Sequence, residues 1–160
     1  GVSGFNDDDV GTNAQFSHPS GVAIAPDGAF VLVADHINHR IRRVDITTGA
    51  TATLAGSGNK GFLDGARGSA RFDGPFGVAI DPSGTFALVA DQWNCRIRRV
   101  DIATGATTTL AGSGSAGFLD GAGAIARFQY PRGIAIEPSG GYVLVVDAGN
   151  NRVRRVDIAT

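Results

Sequence analysis

The sequence predicts an all-β protein made of three tandem copies of one unit. The segment PSGVAIAPDGAFVLVADHINHRIRRVDITTGATATLAGSG, from Pro19, returns from Pro75 as PFGVAIDPSGTFALVADQWNCRIRRVDIATGATTTLAGSG and begins again at Pro131 as PRGIAIEPSGGYVLVVDAGNNRVRRVDIAT. A period of 56 residues, typical of propellers and repeat arrays, is marked by the equivalent residues Asp35, Asp91 and Asp147. The 24 glycines and the lack of extended helical periodicity favour many short strands joined by tight turns.

Four strands are predicted in each unit, in the order shown by the second copy. The first, Gly77–Asp81, is a short apolar run that ends at a Pro-Ser-Gly turn. The second, Phe86–Asp91, is apolar at consecutive positions, so both of its faces are expected to be covered. The third, Arg96–Ile102, places apolar side chains on both faces, and the fourth, Thr107–Ala111, is threonine-rich, as suits an outer edge. This order predicts antiparallel β-propeller blades, with neighbours on both sides.

The copies divide the chain into a leading segment and three blades. Phe5 and Phe16 of the leading segment are one residue further apart than Phe62 and Phe72 of the next loop, so the first loop is expected to take another path. The predicted boundaries are residues 1–17 for the loop into the first blade, 18–58 for the first blade, 59–114 for the second loop and blade, and 115–160 for the third loop and a blade that lacks its outer strand.

Charge and composition exclude several classes of protein. Lys and Arg number 14 against 15 Asp and Glu, so no net field attracts nucleic acid or an anionic membrane. No apolar run approaches membrane-spanning length, and the N-terminus lacks the basic and apolar regions of a signal peptide. We therefore expect a soluble segment of undetermined localisation. The single cysteine, Cys95, excludes a disulfide within the chain.

Three phrases shared by the copies, ARFxxPxGVAIxPSG, LVADxxNxRIRRVD and TTTLAGSG, resemble the NHL repeat, the blade unit of six-bladed NHL propellers. The resemblance implies the fold and leaves the activity open, since NHL propellers include protein-interaction domains, RNA-binding domains and a peptide-amidating lyase. The lyase type would need metal-binding histidines in several blades, whereas the loop DHINHR of the first copy is replaced by DQWNCR and DAGNNR. No family active site carries over to this sequence.

Three blades are half of a six-bladed ring, and an open arc exposes the apolar faces of its first and last blades. A large exposed apolar patch marks an interface. Either the chain is a piece of a longer array, or two copies related by a twofold axis form a six-bladed ring with head-to-tail contacts at both junctions. For the isolated chain we expect the homodimer.

Several of the differences between copies gather at one end of the predicted blades. The first two copies differ at 10 of 40 aligned positions, and several differences fall beside the proline of the inner strand or in the loop between the second and third strands. Drift and ligand selection both explain such variation; if a protein, peptide or small ligand binds, we expect it here. This varied rim consists of His18, Ser20, His36, His39, Phe76, Trp93, Cys95, Tyr130 and Arg132.

Other candidate sites have less support in the sequence. His36 and His39 alone do not supply the ligands of a metal centre, and the acidic run 7–9 lacks the spacing of a calcium loop. Cys95 has no neighbouring base in the sequence. No Ser/His/Asp arrangement, metal-ligand motif or phosphate loop appears, so no catalytic residue, metal or cofactor is expected.

Arginine triplets such as Arg96, Arg98 and Arg99 recur in each third strand, between two aspartates. Pairing with aspartate between blades explains this recurrence without nucleic acid. The sequence therefore predicts a non-catalytic binding or scaffold propeller, or a recently amplified or engineered repeat protein with no evolved ligand. The alternatives are a metal-dependent lyase- or lactonase-like propeller enzyme and an RNA-binding NHL module.

Overall fold

The computed structural model describes residues 2–158 and shows three antiparallel sheets, in each of which successive strands are neighbours. The all-β prediction is confirmed. The first two blades have four strands and the third has three. The strands are β1 (Pro19–Ile24), β2 (Phe30–Asp35), β3 (Arg40–Asp45) and β4 (Thr51–Ala55) in the first blade, β5 (Pro75–Ile80), β6 (Phe86–Asp91), β7 (Arg96–Asp101) and β8 (Thr107–Ala111) in the second, and β9 (Pro131–Ile136), β10 (Tyr142–Asp147) and β11 (Arg152–Asp157) in the third.

Helical structure in the described residues is confined to two short 3-10 segments, Gly123–Ile125 and Ala148–Asn150. Neither has the length or the apolar composition needed to cross a bilayer. The fold is therefore built from strands, and the two helical segments lie in the loops that connect them.

The strands of the second blade match their prediction except at both ends of the first and at the end of the third, where β7 ends at Asp101 and not at Ile102. β5 begins at Pro75, which lies opposite Asp91, and a bulge separates this pair from the next, Val78 opposite Val89. Proline is tolerated as the first residue of a strand because its missing N–H is not needed there. The start at Gly77 was predicted from the apolar run alone, and this run does not include Pro75, which pairs with Asp91 before the bulge.

The leading segment follows the same course as the later loops, so the expectation of another path is wrong. Asp8 exchanges backbone hydrogen bonds with Thr51 of β4 (3.0 and 2.7 Å), as Gly65 does with Thr107 of β8 (2.9 and 2.8 Å). The additional residue is taken up inside the loop. Docking depends on backbone hydrogen bonds at fixed points of the loop, and these tolerate a change in length between them.

Two apolar cores fill the junctions between neighbouring blades, and β6 contributes to both. Ala87 and Val89 belong to the core shared with the first blade, whereas Phe86, Leu88 and Ala90 belong to the core shared with the third. Every residue of β6 is buried, which confirms that this strand is covered on both faces. One strand can serve two neighbours because successive side chains point to opposite faces of a sheet.

Buried arginines tie each loop to the blade that follows it. Arg98 is fully buried and forms ion pairs with Asp91 and Asp64, both at 2.7 Å. It also donates hydrogen bonds to the carbonyls of Leu63 and Arg71, both at 2.9 Å. These partners lie in the same blade and in its preceding loop, so the expected pairing between blades is wrong. A buried charge needs a full set of partners, and the loop carbonyls complete it.

Candidate ligand-binding rim

The varied rim lies at one end of the blades, where two kinds of loop meet. The amide of Trp93, in the loop between β6 and β7, donates to the carbonyl of Asp73, which precedes β5 (3.0 Å). In the first blade the amide of Ile37 donates in the same way to the carbonyl of Ser17 (3.1 Å). The two sets of varied positions therefore share one surface, as an up-and-down blade requires.

Four rim residues hold a left-handed backbone conformation: His18, His39, Cys95 and Tyr130 have φ between 51° and 53°. Glycine and asparagine suit this conformation, whereas most other side chains disfavour it. At the equivalent positions the chain does place Gly74 (φ 59°) and Asn151 (φ 54°). The backbone requirement is therefore the same in every blade, while the side chain placed on it differs.

Rim residues from three blades form one aromatic cluster. The His36 ring is edge-on to the Trp93 ring, with 4.8 Å between centroids, and to the Phe76 ring, with 5.6 Å. The guanidinium of Arg132 lies 5.4 Å from the centre of the Phe76 ring, within cation–π range. Trp93 is 43% exposed, so an aromatic surface and a cation face solvent together. These four residues, His36, Phe76, Trp93 and Arg132, are called the rim cluster below.

Hydrogen bonds define the tautomers of two rim histidines. Nδ1 of His36 lies 3.2 Å from the carbonyl oxygen of Pro75 and therefore carries the hydrogen. Nδ1 of His39 accepts from the amide of Gly74 at 3.2 Å, so its hydrogen is on Nε2. Burial lowers the pKa of His39, and Asp73 acts in the opposite direction without reversing the shift. His39 is therefore neutral at pH 7.

The other rim residues lie outside the cluster or beneath the surface. The hydroxyl of Ser20 donates to the carbonyl of Phe76 at 2.8 Å, which links the first and second blades. Cys95 is 3% exposed, and burial raises the pKa of its thiol, so it is neither a surface contact nor a reactive nucleophile. His18 and Tyr130 are exposed, and His18 borders a shallow cavity of about 380 Å³.

A second cavity lies at the opposite end of the blades, which comparison of the copies predicted to be uniform. It has a volume of about 490 Å³ and opens between the first and second blades, lined in part by Arg43, Arg67 and Asp101. Arg67 is the residue that distinguishes this place, because the equivalent position of the third loop is Gly123. The difference between Arg67 and Gly123 was the only feature of the sequence that could have indicated this cavity.

The arginine triplets are engaged within the protein. Arg96 stacks on the Phe62 ring at 3.7 Å, Arg98 is buried among its ion pairs, and Arg99 stacks on the Phe86 ring at 3.6 Å. The stacking recurs in the first and third copies. The recurrence of these arginines is thus explained by packing within each repeat.

Residues 2–158 contain no cluster of metal-binding side chains. No set of three or more His, Cys, Asp or Glu side chains there has the arrangement to hold a metal ion. The two histidines nearest each other along the chain, His36 and His39, each use Nδ1 in a hydrogen bond with the backbone.

Comparisons with known proteins agree with this architecture. Residues 128–156 match the NHL repeat family. The chain is 32% identical over 157 residues to NHL repeat-containing protein 2 of Bos taurus, and 33% identical over 151 residues to Protein SUPPRESSOR OF QUENCHING 1, chloroplastic, of Arabidopsis thaliana. These alignments cover 92% and 89% of this chain but 22% and 14% of the two relatives. The chain therefore spans less than a quarter of their length.

Solved structures share the fold. An auxiliary nutrient binding protein from Bacteroides thetaiotaomicron matches with a TM-score of 0.74 and 25% identity, over 84% of this chain and 36% of that one. A chain of the nidogen/laminin complex matches with a TM-score of 0.64 and 17% identity, over 88% and 44%; at that identity the match concerns fold alone. With its three sheets, its repeated sequence and these matches, the chain is an NHL-repeat β-propeller arc of three blades.

Proposed function

We propose that this chain is a non-catalytic binding and scaffold module whose ligand site is the rim cluster. The observation that carries the proposal is the meeting of four unlike side chains, from three blades, at positions where the copies differ. Away from the rim the first two copies differ at six aligned positions, all of them exchanges among Ala, Asp, Ser, Thr and Val. The rim cluster thus has a chemical identity that the shared blade pattern does not produce.

The rim cluster suits a peptide that carries an apolar side chain next to an acidic group. The exposed face of Trp93 offers a large apolar contact of the kind found in binding hot spots. The guanidinium of Arg132 is exposed and can hold a carboxylate with two parallel hydrogen bonds. The Bacteroides protein with the same fold is described as an auxiliary nutrient binding protein, which is in keeping with a binding role.

Peptide selection on the immobilised protein, followed by calorimetry with the selected peptides, tests this proposal. Trp93→Ala should weaken binding by ~2 kcal/mol or more and leave the β spectrum unchanged. The matched control is Ile37→Ala, because Ile37 occupies the same loop position in the first blade and lies outside the rim cluster. Equal binding to both variants, or crosslinking of the peptide to the turns at the opposite end, would mean that the rim variation is drift.

We also propose that two copies of the isolated chain join into a six-bladed ring, which supports the scaffold role. The apolar faces at the two ends of the arc favour this. Val22 in the first blade is 65% exposed, whereas its equivalent Val78, covered by the first blade, is 6% exposed. Val153 in the third blade is 66% exposed, whereas its equivalent Ile97 is fully buried.

The two open faces complement each other because each corresponds to one side of a junction already present in the arc. Close approach of the inner strands supports the same arrangement. A Cβ on Gly21 or Gly77 would collide with a backbone carbonyl of the next inner strand. At Gly133, the equivalent residue of the third blade, the nearest atoms belong to Val146 of the same blade. A second copy would bring its first inner strand to this position.

A further inference from the structure

The cavity between the first and second blades, with a volume of about 490 Å³, is lined by charges of both signs. Arg43 of β3 and Arg67 of the following loop each contribute a guanidinium, and Asp101 at the end of β7 contributes a carboxylate. Apolar side chains complete much of the lining, among them those of Leu54 and Ile102, which are buried. Both blades that enclose the cavity have four strands. A cavity of this size suits a small molecule.

The two guanidinium groups are positioned by contacts that leave hydrogen-bond donors available. The guanidinium of Arg43 lies on the Phe30 ring, 3.8 Å from its centre, and it donates no hydrogen bond within residues 2–158. Arg67 reaches across the turn after β7, where two of its nitrogens lie 3.4 and 3.5 Å from the carbonyl oxygens of Thr104 and Ala103. A guanidinium has five N–H donors, so most of the donors of both arginines remain for a ligand.

The carboxylate of Asp101 is held in its charged form by the same turn. The amide and the hydroxyl of Thr104 both donate to Oδ1 of Asp101, each at 2.7 Å. These hydrogen bonds hold the pKa of Asp101 below its ordinary value, so the group is charged at pH 7. Both bonds use Oδ1, which leaves Oδ2 for another donor. The cavity thus offers two positive charges and one negative charge beside apolar side chains.

We propose that this cavity binds a free α-amino acid with a large apolar side chain. The α-carboxylate bonds to the guanidinium groups of Arg43 and Arg67, the α-ammonium bonds to Asp101, and the side chain packs against Leu54 and Ile102. Asp101 disfavours inorganic phosphate and dicarboxylates, because a like charge in the same cavity is repelled. The site is separate from the rim cluster, which lies at the other end of the blades.

The equivalent junction between the second and third blades offers a different set of charges. Arg99 corresponds to Arg43 and lies on the Phe86 ring in the same way, 3.6 Å from its centre. Gly123 stands where the second loop has Arg67, so the third loop supplies no second guanidinium at that position. The repeat therefore contains its own comparison, a stacked arginine without the loop arginine beside it.

The test is an NMR titration of the whole isotope-labelled chain with L-phenylalanine. The amide signal of Thr104 should shift saturably, because this amide donates to Asp101. Phenylpropanoate lacks the ammonium group and phenethylamine lacks the carboxylate, so each should bind about tenfold more weakly or worse, through loss of a hydrogen bond between charged groups. Inorganic phosphate at the same concentration should not displace L-phenylalanine.

Substitutions in the protein locate the ligand. Arg67→Gly, which introduces the residue found in the third loop, should weaken binding of L-phenylalanine about tenfold, and Arg43→Met should do the same. The matched change Arg99→Met, at the other junction, should leave binding unaltered. Asp101→Asn should remove the preference for L-phenylalanine over phenylpropanoate.

Four results would overturn the proposal. They are absence of a saturable shift up to ~10 mM L-phenylalanine, equal affinity for the three ligands, displacement by phosphate, and equal effects of Arg43→Met and Arg99→Met. Signals that shift only at the rim cluster would assign the amino acid to that surface and would also overturn it. The ligand series decides the matter even if one of the variants fails to fold.

Discussion

Two valines at the same position in successive blades provide a sharp test of the closed ring. Val89 is fully buried in the core between the first and second blades, and Val33 occupies the equivalent position on the open face of the first blade, where it is partly exposed. Val89→Asp should unfold the protein, because an unpaired buried charge costs several kcal/mol out of a total stability of roughly 5–15 kcal/mol. Val33→Asp should leave the arc folded and separate the two copies.

The expected magnitude follows from the apolar side chains at the open faces. Covering about half of each of six such side chains, at ~1.5–3 kcal/mol for a whole side chain, contributes roughly 5–9 kcal/mol per junction. The ring has two junctions, and association costs roughly 4–15 kcal/mol. At the midpoints of these ranges the surplus is roughly 4–5 kcal/mol, and an unpaired charge buried at each of the two junctions, at several kcal/mol each, exceeds it. The six residues, 43–66% exposed in the arc, are Val22, Ile24, Ile46, Leu144, Val146 and Val153.

Light scattering coupled to size exclusion measures the outcome. The unaltered chain should have twice the mass of one chain, and Val33→Asp should have the mass of one chain with an unchanged β spectrum. An unaltered chain that is monomeric at micromolar concentration would refute the ring. A Val33→Asp protein that stays dimeric would show that the copies meet through another surface.

Three further predictions concern contacts inside the arc and at its open end. Burial lowers the folded-state pKa of His39 below its ordinary value of 6.5. The unfolded state therefore binds the proton first, and the free energy of unfolding should fall as the pH drops through 6.5; denaturation at several pH values should show this slope reduced in His39→Asn. Arg98→Met should lower the free energy of unfolding, measured by chemical denaturation, by ~3–5 kcal/mol, because it leaves buried acceptors unpaired. Arg154→Met should lower it less, because the side chain of Arg154 is 9% exposed and not fully buried. Gly77→Ala should lower the melting temperature most, because its Cβ would lie 2.1 Å from the carbonyl oxygen of Arg132. Gly133→Ala should lower it less, because its Cβ would meet only the side chain of Val146, at 2.9 Å; equal melting of the two variants would contradict the close approach of inner strands.

Most of the fold was predictable because its determinants are local and repeated. The consecutive apolar residues of β6 required two covered faces, and the two junction cores supply them. The course of the leading segment was not predictable from its length, because Asp8 reaches Thr51 through backbone hydrogen bonds that carry no side-chain signature. The partners of Arg98 were mistaken for the same reason, since two of them are loop carbonyls.

The candidate site was predictable only as a set of positions. The copies act as an internal comparison, which singled out nine rim residues. Which of them touch depends on the angle between blades, because His36 and Trp93 meet across a junction. Burial of Cys95 likewise depends on packing beneath the rim, and no feature of the sequence predicted it.

The sequence by itself determined the number of blades, the order of strands and the sides of each strand that must be buried, since alternation and turn residues act over a few positions and recur with the period. Only the tertiary structure decided which rim residues form a surface and what neutralises the buried arginines. The physical reason is one of range: a local pattern specifies that a group needs a partner, whereas the identity of the partner depends on the packing of segments that are distant along the chain.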